Sequence, residues 1–160
     1  MNATRSLLAC TVLAAVAGCS NVPVAKPPPV ELPISQAWSG DYPVAELDRL
    51  PAGQRQSGAG YLGSAAAFAP VWTAFRPGEA LPAVDFGKQM VVFHRNLDFY
   101  NRTRIVRVTL DAGVAEVLAM ETRSATPIAD KVAMAMAVIP RAGVESLRSG
   151  TAVVPVRAEP

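Results

Sequence analysis

A chain of 160 residues, 51% of them hydrophobic and 18% charged, is long enough for one ordinary domain and too apolar for a disordered polymer. Its formal charge is only +2, from 15 basic against 13 acidic side chains, which excludes the basic excess of a nucleic-acid-binding surface. Two cysteines and one histidine leave little material for thiol, zinc or imidazole chemistry.

Met1 to Arg5 carries one positive charge and no acid, and Ser6 to Ala17 follows as an apolar run containing Leu7, Leu8, Val12, Leu13 and Val16. A short basic segment before roughly 7–15 apolar residues is the pattern of a secretory signal, and the run falls short of the ~20 residues of a membrane span. Val16-Ala17-Gly18-Cys19 resembles the lipobox of bacterial lipoproteins, whose signal peptidase needs small residues before a modified cysteine. The resemblance implies removal of residues 1–18, lipidation of Cys19 and a membrane anchor. The plainer reading is an ordinary signal peptide that contains a cysteine. Cys10 would leave with the signal, so the folded part would have neither free thiol nor disulfide, as suits an oxidising compartment. Ser20 and Asn21 follow the cysteine. Without an aspartate there, the Gram-negative sorting rule points to the outer membrane, with the domain facing the periplasm.

The segment NVPVAKPPPVELP, Asn21 to Pro33, holds five prolines in thirteen residues. It favours extended polyproline II at about 3.1 Å per residue, so residues 19–37 are expected to be a tether, with a proline-rich recognition motif as the other reading. The globular domain is expected over residues 38–158. Val44 to Leu50 is a weak strand candidate closed by Pro51-Ala52-Gly53, and Gly60 to Leu62 a second short one. Ser64 offers an N-cap to a helix that places Phe68, Val71, Trp72 and Phe75 on one face. Pro70 inside it implies a late start or a kink, and Arg76-Pro77-Gly78 ends it.

Gln89 to His94 reads as a buried strand, and Thr103 to Leu110 as one whose Val106, Val108 and Leu110 alternate with polar residues. Asp111-Ala112-Gly113 turns the chain into Val114 to Thr122 as a hairpin. Lys131 to Ile139 has period two, with Val132, Met134, Met136 and Val138 on one side and Ala133, Ala135 and Ala137 on the other. The alanine side implies a close neighbour, for which the helix is the candidate. Gly143 to Ser149 reads as a helical turn and Thr151 to Arg157 as a last strand. The expected fold class is mostly β with a minor α part: a small antiparallel β-sandwich or curled sheet with one or two short helices.

Val71-Trp72-Thr73-Ala74-Phe75, a proline loop, the run VDFGKQMVVF from Val84 to Phe93, a hairpin and a late strand ending in Ile139-Pro140-Arg141 occur in that order. Over about Ser64 to Arg141 this resembles the C-terminal domain of the PrcB family, named for a lipoprotein subunit of a spirochaete surface protease complex. The resemblance implies a non-catalytic accessory role. Where members carry a Gly-Gly-Tyr-like turn after the VDF strand, this chain has Arg95 to Thr103, so its partner would differ.

Asp85 is expected to cap a turn rather than serve as a functional carboxylate, Phe86 and Trp72 to be core partners, and Lys88 to be a solvated charge. His94 is the one histidine; Asp98 lies four residues on and Ser57, Ser64 and Ser124 are among the serines, but no GxSxG frame surrounds any of them. No catalytic residue, metal site or cofactor is expected. Arg95, Phe99, Tyr100, Arg102 and Arg104 crowd one loop between strong strands, a composition enriched at protein contacts. The alternative is that these aromatics fold back on the sheet. The expected function is a lipid-anchored module binding an envelope protein. A small-ligand binder or hydrolase using His94 and nearby carboxylates is the second reading, and a purely structural lipoprotein the third.

Overall fold

The computed structural model describes residues 26–123 and 125–157; the expected signal segment with Cys10, the lipobox-like Val16 to Cys19, Ser20, Asn21 and Ser124 lie outside the described residues. The domain is mostly β and is a small sandwich of two sheets with short helices. Its strands are β1 Val30–Leu32, β2 Gln36–Pro43, β3 Ala59–Leu62, β4 Gln89–Arg95, β5 Thr103–Asp111, β6 Val114–Glu121, β7 Lys131–Pro140, β8 Ser146–Ser149 and β9 Ala152–Pro155, with one α-helix, α1 Ala65–Phe75. One sheet has the order β1-β5-β6-β8-β9 and the other β2-β7-β4-β3. Pairings are antiparallel except β6 with β8, which run parallel.

β7 explains the layering. From Val132 to Ile139 every side chain is buried, which an alternation of large and small rather than apolar and polar residues permits. Val132, Met134, Met136 and Val138 pack with Phe68, Val71 and Trp72 of α1, while Ala135 and Ala137 join Val108 and Val117 of the opposite sheet. The alanines therefore admit the second sheet, not the helix as expected: the helix needs the long side chains to fill its side, and the sheets approach over the short ones. Burying each large apolar side chain contributes roughly 1.5–3 kcal/mol, so the two cores hold the domain without disulfides among the described residues.

The helix begins where expected. The Ser64 hydroxyl accepts from the Ala67 amide at 3.2 Å. It starts at Ala65 and runs unbroken past Pro70, because the donor that proline lacks would have served Ala66, on the exposed side where water substitutes. In the β5–β6 hairpin Ala112 and Gly113 both have positive φ, 47° and 82°, as a two-residue turn of type I′ requires.

Three further expectations are corrected. Val30–Leu32, placed in the tether, is an edge strand paired with β5, and Leu32 is buried, so the chain joins the sheet before Trp38. Pro33 does not interfere because the strand ends one residue earlier. Val44–Arg49 is a 3-10 helix rather than a strand: Pro43 precedes it, Pro51 follows, and Glu46 pairs with Arg49 one turn away. Ser146–Ser149 is a strand rather than a helical turn, with Leu147 buried between the sheets and Gly143 and Gly150 supplying left-handed turns on either side.

Candidate functional site

β4 carries apolar side chains into both cores and then changes character. Met90 and Val92 face the other sheet, Val91 and Phe93 face the helix, and the next two residues are His94 and Arg95. Strand alternation sends His94 between the sheets and Arg95 to the helix side. The loop that follows, 96–102, meets the described residues of 122–130 through an antiparallel bridge between Phe99 and Pro127 and through hydrogen bonds between Arg102 and Thr122. Together they close this end of the sandwich.

His94 Nε2 lies 2.7 Å from Glu121 Oε1, and Nδ1 lies 2.9 Å from the Ser149 hydroxyl. The other Glu121 oxygen accepts from the amides of Asn96 at 2.9 Å and Asn101 at 3.1 Å. Burial pushes the Glu121 carboxyl up, but the hydrogen bonds from His94, Asn96 and Asn101 outweigh it and hold it below the usual carboxylate value. An ionised carboxylate only accepts, so Nε2 carries a hydrogen towards it. Ser149 Oγ also donates to the Val117 carbonyl at 3.1 Å, and the direction of its bond with Nδ1 follows the tautomer of the ring. The triple joins one strand of one sheet to two strands of the other.

A serine, an imidazole and a carboxylate in line invite comparison with a hydrolase. Ser149 is only 8% exposed and its hydrogen is engaged by Val117, so its oxygen is neither free nor poised on an open surface. Glu121 and Ser149 were not singled out from the sequence. Glu121 is legible in hindsight as an acid in phase with the inward Ala115 and Val117, whereas Ser149 fell in a segment read as helical.

Of the five loop residues expected to meet a partner, the structure places four at the surface and one inside. Arg95 is 4% exposed, and this corrects its assignment as a contact residue. Its phase on β4 sends it inward, where Nη2 donates to the Arg55 carbonyl. Phe99 and its neighbour Leu97 are each 44% exposed. Their backbone is set by Asn96, whose side-chain oxygen accepts from the amides of Asp98 at 2.9 Å and Phe99 at 2.8 Å. Tyr100 folds back: its hydroxyl donates to Asp41, which also accepts from Lys131 Nζ at 2.8 Å, and that ammonium stands 5.4 Å from the tyrosine ring centre. Burial raises the Asp41 carboxyl, and the bonds from Lys131 and Tyr100 bring it below its ordinary value. Arg102 and Arg104 are exposed. With Ser39, Thr103 and Met120 they line a depression of about 300 Å³, next to one of about 340 Å³ shared by Tyr100, Arg102, Asp41 and Lys131.

Asp85 caps a turn by accepting from the Gly87 amide at 3.1 Å, Trp72 packs on Trp38, Phe68 and Phe75, and Phe86 lies 6.0 Å from Phe68. Lys88 stands exposed at 3.9 Å from Asp85, and Asp98 is exposed. Among the described residues no three His, Cys, Asp or Glu side chains converge to hold a metal ion, and no helix is long and apolar enough to cross a membrane. No protein family matches the chain, and neither a curated protein nor a solved structure is significantly similar to it.

Proposed function

We propose that this protein is a lipoprotein anchored through Cys19 in the outer membrane, facing the periplasm, and that its loop end docks an envelope protein as a non-catalytic accessory subunit. One observation carries the docking reading: Leu97 and Phe99 are held out into solvent by a built loop, pinned by Asn96 and by the bridge to Pro127. Apolar side chains that a domain spends hydrogen bonds to expose are suited to burial by a partner. Arg102, beside two depressions, supplies a polar rim. The anchor rests on the lipobox-like Val16 to Cys19, and a protease is the first partner to look for because of the PrcB resemblance.

The test is recovery of the tagged, lipidated protein from mildly solubilised envelopes, with co-purifying chains identified by mass spectrometry. A stoichiometric envelope partner is expected. It should be lost when Leu97, Phe99 and Arg102 are replaced together by alanine, with unfolding free energy changed by no more than about 0.5 kcal/mol per exposed site. Recovery of the protein alone, or a partner indifferent to the triple variant, rejects the reading. Cys19→Ala should move the protein from the membrane fraction to the soluble one.

A second reading, hydrolysis, is favoured by the line of Ser149, His94 and Glu121. It requires an ester- or amide-cleaving activity that Ser149→Ala abolishes while the fold is retained.

A further inference from the structure

Three buried polar atoms have no hydrogen-bond partner among the described residues: Arg95 Nε, Asn101 Oδ1 and Thr103 Oγ1. All three lie at the loop end, and only one belongs to a permanent charge. Arg95 is buried, and no carboxylate comes within ion-pair distance of it among the described residues. Enclosing a guanidinium without an anion is costly, so an arginine in this state calls for a counter-charge supplied from outside the chain.

The space to receive one exists. Arg95 lines a cavity of about 510 Å³, within the size range of small-molecule sites. Its neighbour in that wall is Arg55, whose guanidinium is steadied by backbone carbonyls, Leu50 through Nε at 3.1 Å and Asp48 through Nη2 at 2.6 Å. Both arginines thus have their planes set by main-chain oxygens, and no ion pair among the described residues neutralises either charge. Leu47, Leu97, Ile128 and Val132 line the same cavity and give it an apolar side. Burial pushes the Arg95 guanidinium down from its ordinary value, the direction expected of a cation that lacks its anion.

We infer that this cavity binds a carboxylate carried on an apolar body, the carboxylate meeting Arg95 and Arg55 and the apolar part lying along Leu47, Leu97 and Ile128. A planar carboxylate matches the fork of a guanidinium, two donors to two oxygens. Asp48 and Asp98 also line the cavity, and their charges oppose a multiply charged anion such as phosphate. With two guanidinium and two carboxylate groups around it, the cavity favours a singly over a multiply charged anion. The carboxylate can belong to a free small acid or to the end of a peptide chain. This site shares Leu97 with the loop contact proposed above but does not depend on that reading.

The probes are sodium hexanoate, hexanamide, the tripeptide Ala-Ala-Leu with a free C-terminus, and its C-terminal amide, each titrated by calorimetry into the full mature protein. Saturable one-to-one binding of a carboxylate, with its amide silent, is expected. Arg95→Met should weaken it about 10- to 100-fold, the loss expected for charged hydrogen bonds, with the far-ultraviolet circular dichroism unchanged. Arg95→Lys, which keeps the charge and loses the fork, should bind at an intermediate strength. Hexanoate binding as well as the peptide identifies a free acid as the source; binding of the peptide acid alone identifies a chain terminus. Absence of saturable binding by either acid at millimolar concentration overturns the inference, as do equal binding of acid and amide and undiminished binding by Arg95→Met. The chain's own Asp98 is the remaining occupant. If wild type binds neither acid but Asp98→Asn does, that aspartate fills the cavity and the inference fails.

Discussion

His94 and Arg95 are neighbours on one strand, each ending an apolar core with a polar side chain, and the molecule treats them in opposite ways. Both ring nitrogens of His94 have partners, on two strands of the opposite sheet, and the carboxylate it meets is itself saturated by two asparagines. The Arg95 guanidinium donates to the Arg55 carbonyl and keeps a buried Nε with no partner among the described residues. A buried polar group that is fully satisfied adds rigidity and uniqueness to a fold, whereas one left wanting costs stability and is kept where something else is to be bound. The contrast separates a fastening between sheets from a place prepared for a ligand, and burial alone would not have told them apart.

The contrast presupposes that the apolar part of β4 carries the stability on which both polar residues ride. Phe93, fully buried on the helix side, has its ring over Gly60, where an added Cβ would come within 2.3 Å of it. Phe93→Ala should cost about 3–5 kcal/mol, the range for deleting a buried aromatic ring and leaving a cavity. Urea unfolding measures it through the midpoint at constant slope. A cost below that of dismantling the His94 network would mean that polar bonds rather than packing hold this end.

Glu121→Gln cuts the charged member of the fastening and keeps its shape. About 1–3 kcal/mol should be lost at neutral pH, because His94, Asn96 and Asn101 then face a neutral amide. The folded carboxyl lies below its reference value of 4.5, so its contribution is complete above that value and disappears as pH falls through the folded one. Wild type should lose more stability than the variant as pH falls from 7 to below 4.5, and the two should converge in acid. A difference that persists in acid would assign the loss to altered packing.

How much of this was legible depended on whether a residue's role is local. The Ser64 cap, the Ala112-Gly113 turn, the β5–β6 hairpin and the two-sided burial of β7 follow from spacing within a few residues, and the mostly β fold with one helix followed from them. The start of the domain did not, because Val30-Glu31-Leu32 is too short to announce itself among prolines and is a strand only because β5 offers an edge. Nor did β8, whose pairing with β6 is parallel and distant in sequence. At the site, the loop after His94 stood out by its arginines and aromatics. The phase of β4, one residue past its expected end at His94, decides that Arg95 turns inward, and Ser149 and Glu121 reach His94 only through the tertiary pairing of three strands.

Arg95→Met carries the smallest expected change in stability and divides the two neighbours most sharply. Methionine occupies a similar length without charge, so the substitution removes the penalty of an unneutralised guanidinium while giving up one hydrogen bond to Arg55. These terms oppose each other, and the unfolding free energy should stay within about 1 kcal/mol of wild type, on the favourable side where the charge dominates. Added carboxylate should stabilise wild type in proportion to the logarithm of its concentration above saturation and leave the variant unmoved. A loss of more than about 2 kcal/mol in the absence of any ligand would place Arg95 beside His94 as a structural residue, since only a side chain whose bonds the fold needs can cost that much to remove.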